Sequence, residues 1–408
     1  MRKVYLDYAA TTPTDKRVIQ TMIPFFNQKF GNANSLHSFG QEAEEAVKKS
    51  REKIARVLDC KEEEIIFTSG ATEGNNLAIK GIFKALYDKF IKGAGDKLHF
   101  ITTQIEHPCV LESLDALKQM FPKKISVTYL PVNKNGLISL KKLEESIQKN
   151  TVLVSIMYVN NEIGIIQPIE KIGHILKKIK SHRGHNDLPL YFHSDATQAL
   201  SYFDCSLEKL SLDLLTFSGH KIYGPKGIGA LIAKKGTFLQ AILSGGEHEW
   251  GKRSGTLNVP GIVGLGEAVK MAYKERQTKV EFIKNLRDYF IKKVIQEIEN
   301  VKLNGSRKKR TPNNANFSFK GVEGESLLTL LDQKGIAVST GSACASGKTR
   351  SSYVQLAIGN THLEAHSSIR FTLGKYLTKK DINYTVNELK KAVDKLRQMS
   401  NGIINYKF

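Results

Sequence analysis

The sequence predicts an α/β protein, a mostly parallel mixed sheet flanked by helices, joined to a smaller α+β domain. Three observations carry this prediction. Helix-like and strand-like stretches alternate over roughly residues 60–240. The strand-like stretches are apolar and β-branched, as in strands buried on both faces. The rhythm changes after about residue 260.

Taken in order, EEIIFTSG (63–70) reads as a strand ending in a turn, and ATEGNNLAIKGIFKALYDKF (71–90) as the helix that follows it. LHFITTQIEH (98–107) is a second strand. TVLVSIMYVN (151–160) is a β-branched run suited to a doubly buried strand. PIEKIGHILKKIKSH (168–182) has helical spacing, LPLYFHSD (188–195) is a short strand, and LDLLTFSGH (212–220) and GIGALIAKK (227–235) continue the alternation. SHRGHND (181–187) is polar and turn-rich and reads as a surface loop. Residues 261–300 form one long helical stretch leading out of the sheet domain. Strand-like NANFSFKGV, IAVSTGSAC and SSIRFTLG then mix with helices, ending in DINYTVNELKKAVDKLRQMS. These changes give a large domain over 15–262 and a small domain from 1–14 and 263–408.

The composition is that of an ordinary globular chain. Of 408 residues, 41% are hydrophobic and 25% charged, which argues against a disordered, collagen-like or disulfide-scaffold protein. Lys and Arg number 61 against 40 Asp and Glu, a net charge of +21. The lysines are scattered rather than gathered in a stripe with interleaved aromatics, so direct nucleic-acid binding is not expected. No apolar run reaches the roughly 18 residues of a membrane span. MRKVYLDYAATTP lacks an apolar leader core, and a cytoplasmic enzyme is the expectation. Cys60, Cys109, Cys205 and Cys344 form no CxxC pair, which suggests reduced thiols with at most one in a chemical role. Cys60, Cys109 and Cys205 read as buried apolar thiols. His182, His185 and His193 are close in sequence, but their spacing fits neither a helix face nor a zinc pattern, so no resident metal is expected.

The most informative stretch is SDATQ (194–198) followed by SGHK (218–221). Asp195 lies just past an apolar strand, where ligands bind in open parallel sheets, and Lys221 follows the next strand. A lysine there is a usable amine when partly desolvated. A lysine and a carboxylate from neighbouring strands match what pyridoxal 5'-phosphate (PLP) requires: a Schiff-base lysine and a carboxylate against the pyridinium nitrogen. TSGATEGN (68–75) runs from strand to helix through Gly70, so its N–H groups and the Thr72 hydroxyl suit a phosphate. On its own this motif reads equally as helix capping; beside Asp195 and Lys221 the phosphate reading gains weight, with Ser218 and His220 as further donors.

At this point a resemblance becomes specific. YLDYAATTP, FTSGATEGNNLAIKG, SIMYVNNEIGIIQPI, SDATQ, FSGHKIYGPKGIGAL, RSGTLNVP, STGSACAS and AHSSIRFTLG resemble, in order and over nearly the whole chain, segments of the cysteine desulfurases. These are PLP enzymes of the class V aminotransferase group with PLP fold type I, and the housekeeping and nitrogen-fixation type fits best. The resemblance implies that Lys221 carries PLP, Asp195 pairs with the ring nitrogen, Gln198 with the ring hydroxyl, and His107 stacks on the ring and aids proton transfer. It implies that Ala71, Thr72, Ser218 and His220 hold the phosphate and that Thr256 reaches the phosphate of a partner subunit, hence a homodimer. Asn161 and Arg370 would clasp the carboxylate of L-cysteine, Asn161 lying against the cofactor as well. Cys344 would accept the sulfur as a persulfide, leaving alanine. The Gly- and Ser-rich segment around Cys344 suits a mobile loop, and Lys348 and Arg350 would favour the thiolate.

The sulfur would pass to an iron–sulfur scaffold protein, a sulfur carrier or a tRNA-thiolating protein, with transient iron–sulfur contact at Cys344 as the only metal interaction. The chain departs from the family pattern at Ala33 (usually proline), at Glu247 and Trp250 (usually glycine and arginine), in TRSS after Cys344, in a longer loop after 168–182, and in the tail SNGIINYKF. None of these touches the PLP chemistry; they bear on the sulfur acceptor. The competing readings are a selenocysteine lyase or other class V PLP enzyme, which the cysteine-bearing loop disfavours, and a non-catalytic scaffold, which intact Lys221, Asp195 and Cys344 disfavour.

Overall fold

The computed structural model describes residues 2–91, 97–184, 187–341 and 351–404. Seven strands form the main sheet: β1 (Ile65–Thr68), β2 (Leu98–Thr103), β3 (Ile125–Leu130), β4 (Thr151–Ser155), β5 (Tyr191–Asp195), β6 (Leu214–Ser218) and β7 (Gly229–Ala233). Their spatial order is β1-β7-β6-β5-β4-β2-β3. Only β7 runs against its neighbours, pairing antiparallel with both β1 and β6. The other pairs are parallel, with registers such as Ser155↔His193 and Asp195↔Thr216.

The apolar runs follow from two-sided burial. Successive residues point to opposite faces, and both faces are covered. Phe67, Ile101, Val154, Phe192 and Leu215 join one core, with Ile54, Ile172 and Val259 from its covering helices. Their chain neighbours Ile66, Phe100, Leu153, Tyr191 and Leu214 join the other, with Leu77, Ile82 and Leu114. The helices are α1 (Ser38–Leu58), α2 (Ala71–Leu86), α3 (Pro108–Met120), α4 (Ile169–Ser181) and α5 (Val259–Lys274). At Gly266 of α5 a Cβ would lie 2.9 Å from Ser50 Cβ of α1, so only glycine permits that helix approach.

The long helical stretch expected over 261–300 is two helices. α5 ends at Glu275 (φ −91, ψ 0), and α6 spans Arg276–Glu297. The physical reason is a change of partner: Ile262, Leu265 and Val269 of α5 pack in the sheet core, whereas Ile283, Phe290 and Val294 of α6 pack in the core of the smaller domain. That second core also takes Val4, Leu6 and Tyr8 from the N-terminus. Its sheet comprises β8 (Val301–Leu303), β9 (Asn314–Phe319), β10 (Ser339–Thr340) and β11 (Ser368–Thr372), ordered β10-β11-β9-β8. All its pairings are antiparallel. The helices α6 and α7 (Gly324–Asp332) pack on it, and the closing helix α8 (Lys379–Ile404) packs on both of them. Among the described residues no helix is long and apolar enough to cross a membrane.

Candidate active site

The parallel strands β1, β2, β4, β5 and β6 end on the same sheet edge, and their following loops meet strand β11 of the smaller domain across a cavity of about 750 Å³. Ala71, Thr72, His107, Asn161 and Asp195 line it. So do Gln198, Ser218, His220, Lys221 and Arg370, although 299 positions separate Ala71 from Arg370 in the chain. Thr256 is exposed and does not line the cavity. Cys344, with Lys348 and Arg350, lies outside the described residues.

One wall suits an anion. Strand β1 turns at Ser69–Gly70 into α2, whose first-turn N–H groups have no partner within the helix. Backbone must come close here: a Cβ at Gly229 of β7 would lie 2.8 Å from the Gly70 Cα. Ser218 lies across from the turn, its Oγ 3.7 Å from where a Gly70 Cβ would be. Arg253 Nε donates to Glu73 Oε1 of α2 at 2.8 Å, which fastens the segment carrying Thr256 to the same helix end.

The floor carries a fixed carboxylate. Asp195 accepts from Asn75 Nδ2 at 2.7 Å and from the Thr197 backbone N–H at 2.9 Å. His107 caps α3 by accepting from the Cys109 N–H, and burial lowers its pKa against the opposing pull of Asp195, with Lys221 adding to the lowering. Its ring is therefore neutral at ordinary pH, a stacking group and proton acceptor. Cys109, expected to be a plain core thiol, lines this cavity instead, 3.0 Å from His107 Nδ1 and 3.1 Å from Asn75 Nδ2. Burial and then Asp195 push its pKa up to about 12, so it stays protonated.

The N-terminal segment crosses the opposite side. Lys221 Nζ donates to the Ala9 and Ala10 carbonyls, each at 2.6 Å, and Gln198 Nε2 donates to Ala9 O at 2.9 Å. His220 Nδ1 is 3.1 Å from Thr11 Oγ1; burial, with Lys221 and Lys226, lowers its pKa to about 4. Arg370 is 4% exposed, donating to Asp7 Oδ1 at 2.8 Å and to the Asn161 carbonyl at 3.0 Å. These two bonds aim the guanidinium while its Nε remains without a partner.

Five buried side-chain polar atoms among the described residues lack a hydrogen-bond partner, and three of them, Asn161 Oδ1, Thr197 Oγ1 and Arg370 Nε, belong to residues lining this cavity. Buried polar atoms are normally satisfied, so these point to a polar occupant. An anion cradle, a fixed carboxylate, a flat imidazole, an amine and a guanidinium suit PLP with an amino-acid substrate. Three neighbours were missed from the sequence: Asp7, Asn75 and the 9–12 backbone. YLDYAATTP and GATEGNN contained them, but nothing local in either motif says that one orients Arg370 and the other Asp195. Of the three clustered histidines, His193 is buried between Ser155 Oγ and Thr216 Oγ1, each 2.9 Å from a ring nitrogen. The His182 ring bonds its own helix at the Lys178 carbonyl, and His185 lies outside the described residues.

The chain matches the family model for aminotransferase class-V over residues 4–385. It is 47% identical over 400 residues to a protein of Dictyoglomus turgidum named cysteine desulfurase IscS, covering 98% of this chain and 96% of that one. A Rickettsia akari protein of the same name is 45% identical over 400 residues, covering 97% and 92%. Among solved structures, a NifS-like protein superposes with a TM-score of 0.86 at 36% identity, covering 96% of this chain and all of that one.

Proposed function

The chain belongs to the aminotransferase class-V family, and from that membership we propose that it works as a PLP-dependent cysteine desulfurase, an enzyme converting L-cysteine to L-alanine. One observation carries the reading. Lys221, Asp195 and Arg370, from two domains, converge on a single cavity in which Arg370 keeps an unpartnered Nε. The extensive likeness to proteins named cysteine desulfurase selects the substrate, and favours this reading over a selenocysteine lyase.

PLP, when bound, supplies an electron sink for the pair released at the substrate α-carbon. Asp195 would hold the proton on the ring nitrogen; Thr72, Ser218, His220 and the N–H groups from Ala71 would hold the phosphate. Gln198 would bond the ring hydroxyl, and His107 would lie against the ring and relay protons. Arg370 and Asn161 grip the substrate carboxylate. The Lys221 amine removes the α-proton. The Cys344 thiolate then forms an S–S bond to the substrate sulfur as the Cβ–S bond breaks. The bonding pair stays on Cβ and is protonated, so cysteine plus protein thiol gives alanine plus protein persulfide.

The proposal includes a cytoplasmic homodimer. Thr256 is exposed and does not line its own cavity, as suits a residue serving a partner's phosphate, and the apolar Phe26, Phe30 and Phe39 are 65%, 63% and 53% exposed. The sulfur acceptor is read as an iron–sulfur scaffold, with a sulfur carrier or tRNA-thiolating protein as a second outlet. Reconstitution with PLP tests the core of the reading. We expect a yellow protein, bleached by borohydride, that releases alanine from L-cysteine. A colourless chain, or a coloured one making no alanine, contradicts it.

A further inference from the structure

We propose that Arg310 is a positioning residue for the substrate carboxylate, mounting the loop 161–164 on the smaller domain so that Asn161 and Arg370 face the substrate as one unit. This role rests on the desulfurase reading above. The loop is rooted in the large domain. The Tyr158 N–H donates to the Asp195 carbonyl at 3.0 Å, and Asn160 Nδ2 donates to the Ile105 carbonyl at 2.8 Å. Its tip is held from the other side, where four consecutive carbonyls accept from the smaller domain. That of Asn161 takes Arg370 Nη1 at 3.0 Å, and that of Glu162 takes Asn314 Nδ2 at 3.0 Å and Asn316 Nδ2 at 3.2 Å. That of Ile163 takes Arg310 Nη1 at 2.6 Å, and that of Gly164 takes the Thr311 N–H at 2.8 Å. In return the Ile166 N–H donates to the Lys309 carbonyl at 3.0 Å.

Arg310 is the centre of this mount and is 4% exposed. Besides Ile163, its guanidinium donates to the Asn304 carbonyl, to the Ser306 carbonyl at 3.2 Å and to Asn314 Oδ1 at 3.0 Å. The bond to Asn314 aims the amide whose other end holds Glu162. Among the described residues the partners of Arg310 are carbonyl and amide oxygens, with no carboxylate. Burial, and then Arg287, lowers its pKa to about 9, so it keeps its charge at neutral pH. A buried cation without a counter-ion is costly, and an apolar side chain of similar volume would avoid that cost. What an apolar side chain lacks is a planar fork of donors able to gather carbonyls from two domains.

The mount meets the proposed substrate grip directly. Asn316 and Arg370 are register partners on β9 and β11. Asn161 Oδ1 and Arg370 Nε are both buried without partners, and both residues line the same cavity. Arg370 bonds the Asn161 carbonyl, so a loop that shifts at Ile163 disturbs both groups that would take the carboxylate.

The test titrates the PLP-loaded full chain with L-alanine and with ethylamine, which is alanine without its carboxylate, and reads the absorbance change on binding. Arg310→Lys keeps the charge and loses the fork. Its dissociation constant for L-alanine is expected to rise by about threefold to thirtyfold, while that for ethylamine moves less than about twofold. A general loosening of the fold would weaken both ligands alike. Asn314→Asp is the second variant, and decides the matter should Arg310→Lys fail to fold. It gives Arg310 a carboxylate partner but sets an oxygen against the Glu162 carbonyl, so L-alanine is again expected to weaken selectively. Unchanged L-alanine binding in the folded variants, or equal losses for the two ligands, would overturn the proposal. So would an unmodified chain that binds L-alanine no more tightly than ethylamine. An unmodified chain that binds L-alanine selectively but forms no alanine from L-cysteine overturns the desulfurase reading alone, and a selective loss in Arg310→Lys then still supports the grip.

Discussion

Replacing Lys221 by alanine is expected to lower alanine formation by about three orders of magnitude or more, and to end covalent retention of PLP after borohydride treatment. The lysine closes a single helical turn, Gly219–Lys221, directly after β6. Its amine is set against the Ala9 and Ala10 carbonyls, and it enters the same cavity as Asp195. Among the described lining residues the other lysine is Lys226, which is exposed, and the arginine is Arg370. Lys221→Arg is expected to fail as well, because a guanidinium does not deprotonate in a protein. A small exogenous amine is expected to restore part of the proton transfer in Lys221→Ala. Activity within about tenfold of the unmodified chain for Lys221→Ala would remove the lysine from the chemistry.

Arg370→Ala is expected to raise the KM for L-cysteine by about tenfold to a hundredfold, the span of a charge-assisted hydrogen bond of about 1.5–3 kcal/mol. The residue sits centrally in β11, paired to Ser339 on one side and Asn316 on the other, so its backbone is fixed before its side chain reaches the cavity. Two of its five N–H donors are committed, to Asp7 and to the Asn161 carbonyl, and the others, Nε among them, are left over for the proposed substrate carboxylate. Arg370→Lys is not a conservative change here. One ammonium on a flexible stem cannot hold Asp7, the Asn161 carbonyl and a substrate carboxylate in one plane. Arg370→Ala also strips Asp7 of its partner, so a lower melting temperature should accompany the KM effect. Asp7→Asn separates the two roles, since it loosens the guanidinium without removing it; its KM should rise less than that of Arg370→Ala. An unchanged KM in Arg370→Ala would assign the residue to stability alone.

The sequence made the large domain readable because its strands are buried on both faces. TVLVS and YFHSD are apolar or hydrogen-bonded throughout, and helices intervene at regular intervals. The break at Glu275 was not visible because both flanking segments are good helix formers; only the switch from one core to another separates them. Strand β3 sits at the sheet edge and is half-exposed, so ISVTYL carries less of the doubly buried signal. At the site, the residues proposed to do chemistry stood out by type: a lysine, an aspartate, an arginine. Those that aim them did not. Asp7 is 363 positions from Arg370 and Asn75 is 120 from Asp195, so their roles exist only after the two domains and the strand edge are assembled. Cys109 was misread for a related reason: a small thiol within a helix start gives no hint that the helix opens onto a cavity.

The central claim is that sulfur leaves cysteine at the Lys221 cavity and arrives on Cys344. Peptide mass analysis after one turnover of the PLP-loaded chain with L-cysteine tests it most directly. The account predicts one added sulfur on the Cys344 peptide for each alanine formed, none on the protonated thiol of Cys109, and neither alanine nor persulfide in Cys344→Ser. Full alanine yield from Cys344→Ser, or sulfur carried on Cys109 in the unmodified chain, would contradict it.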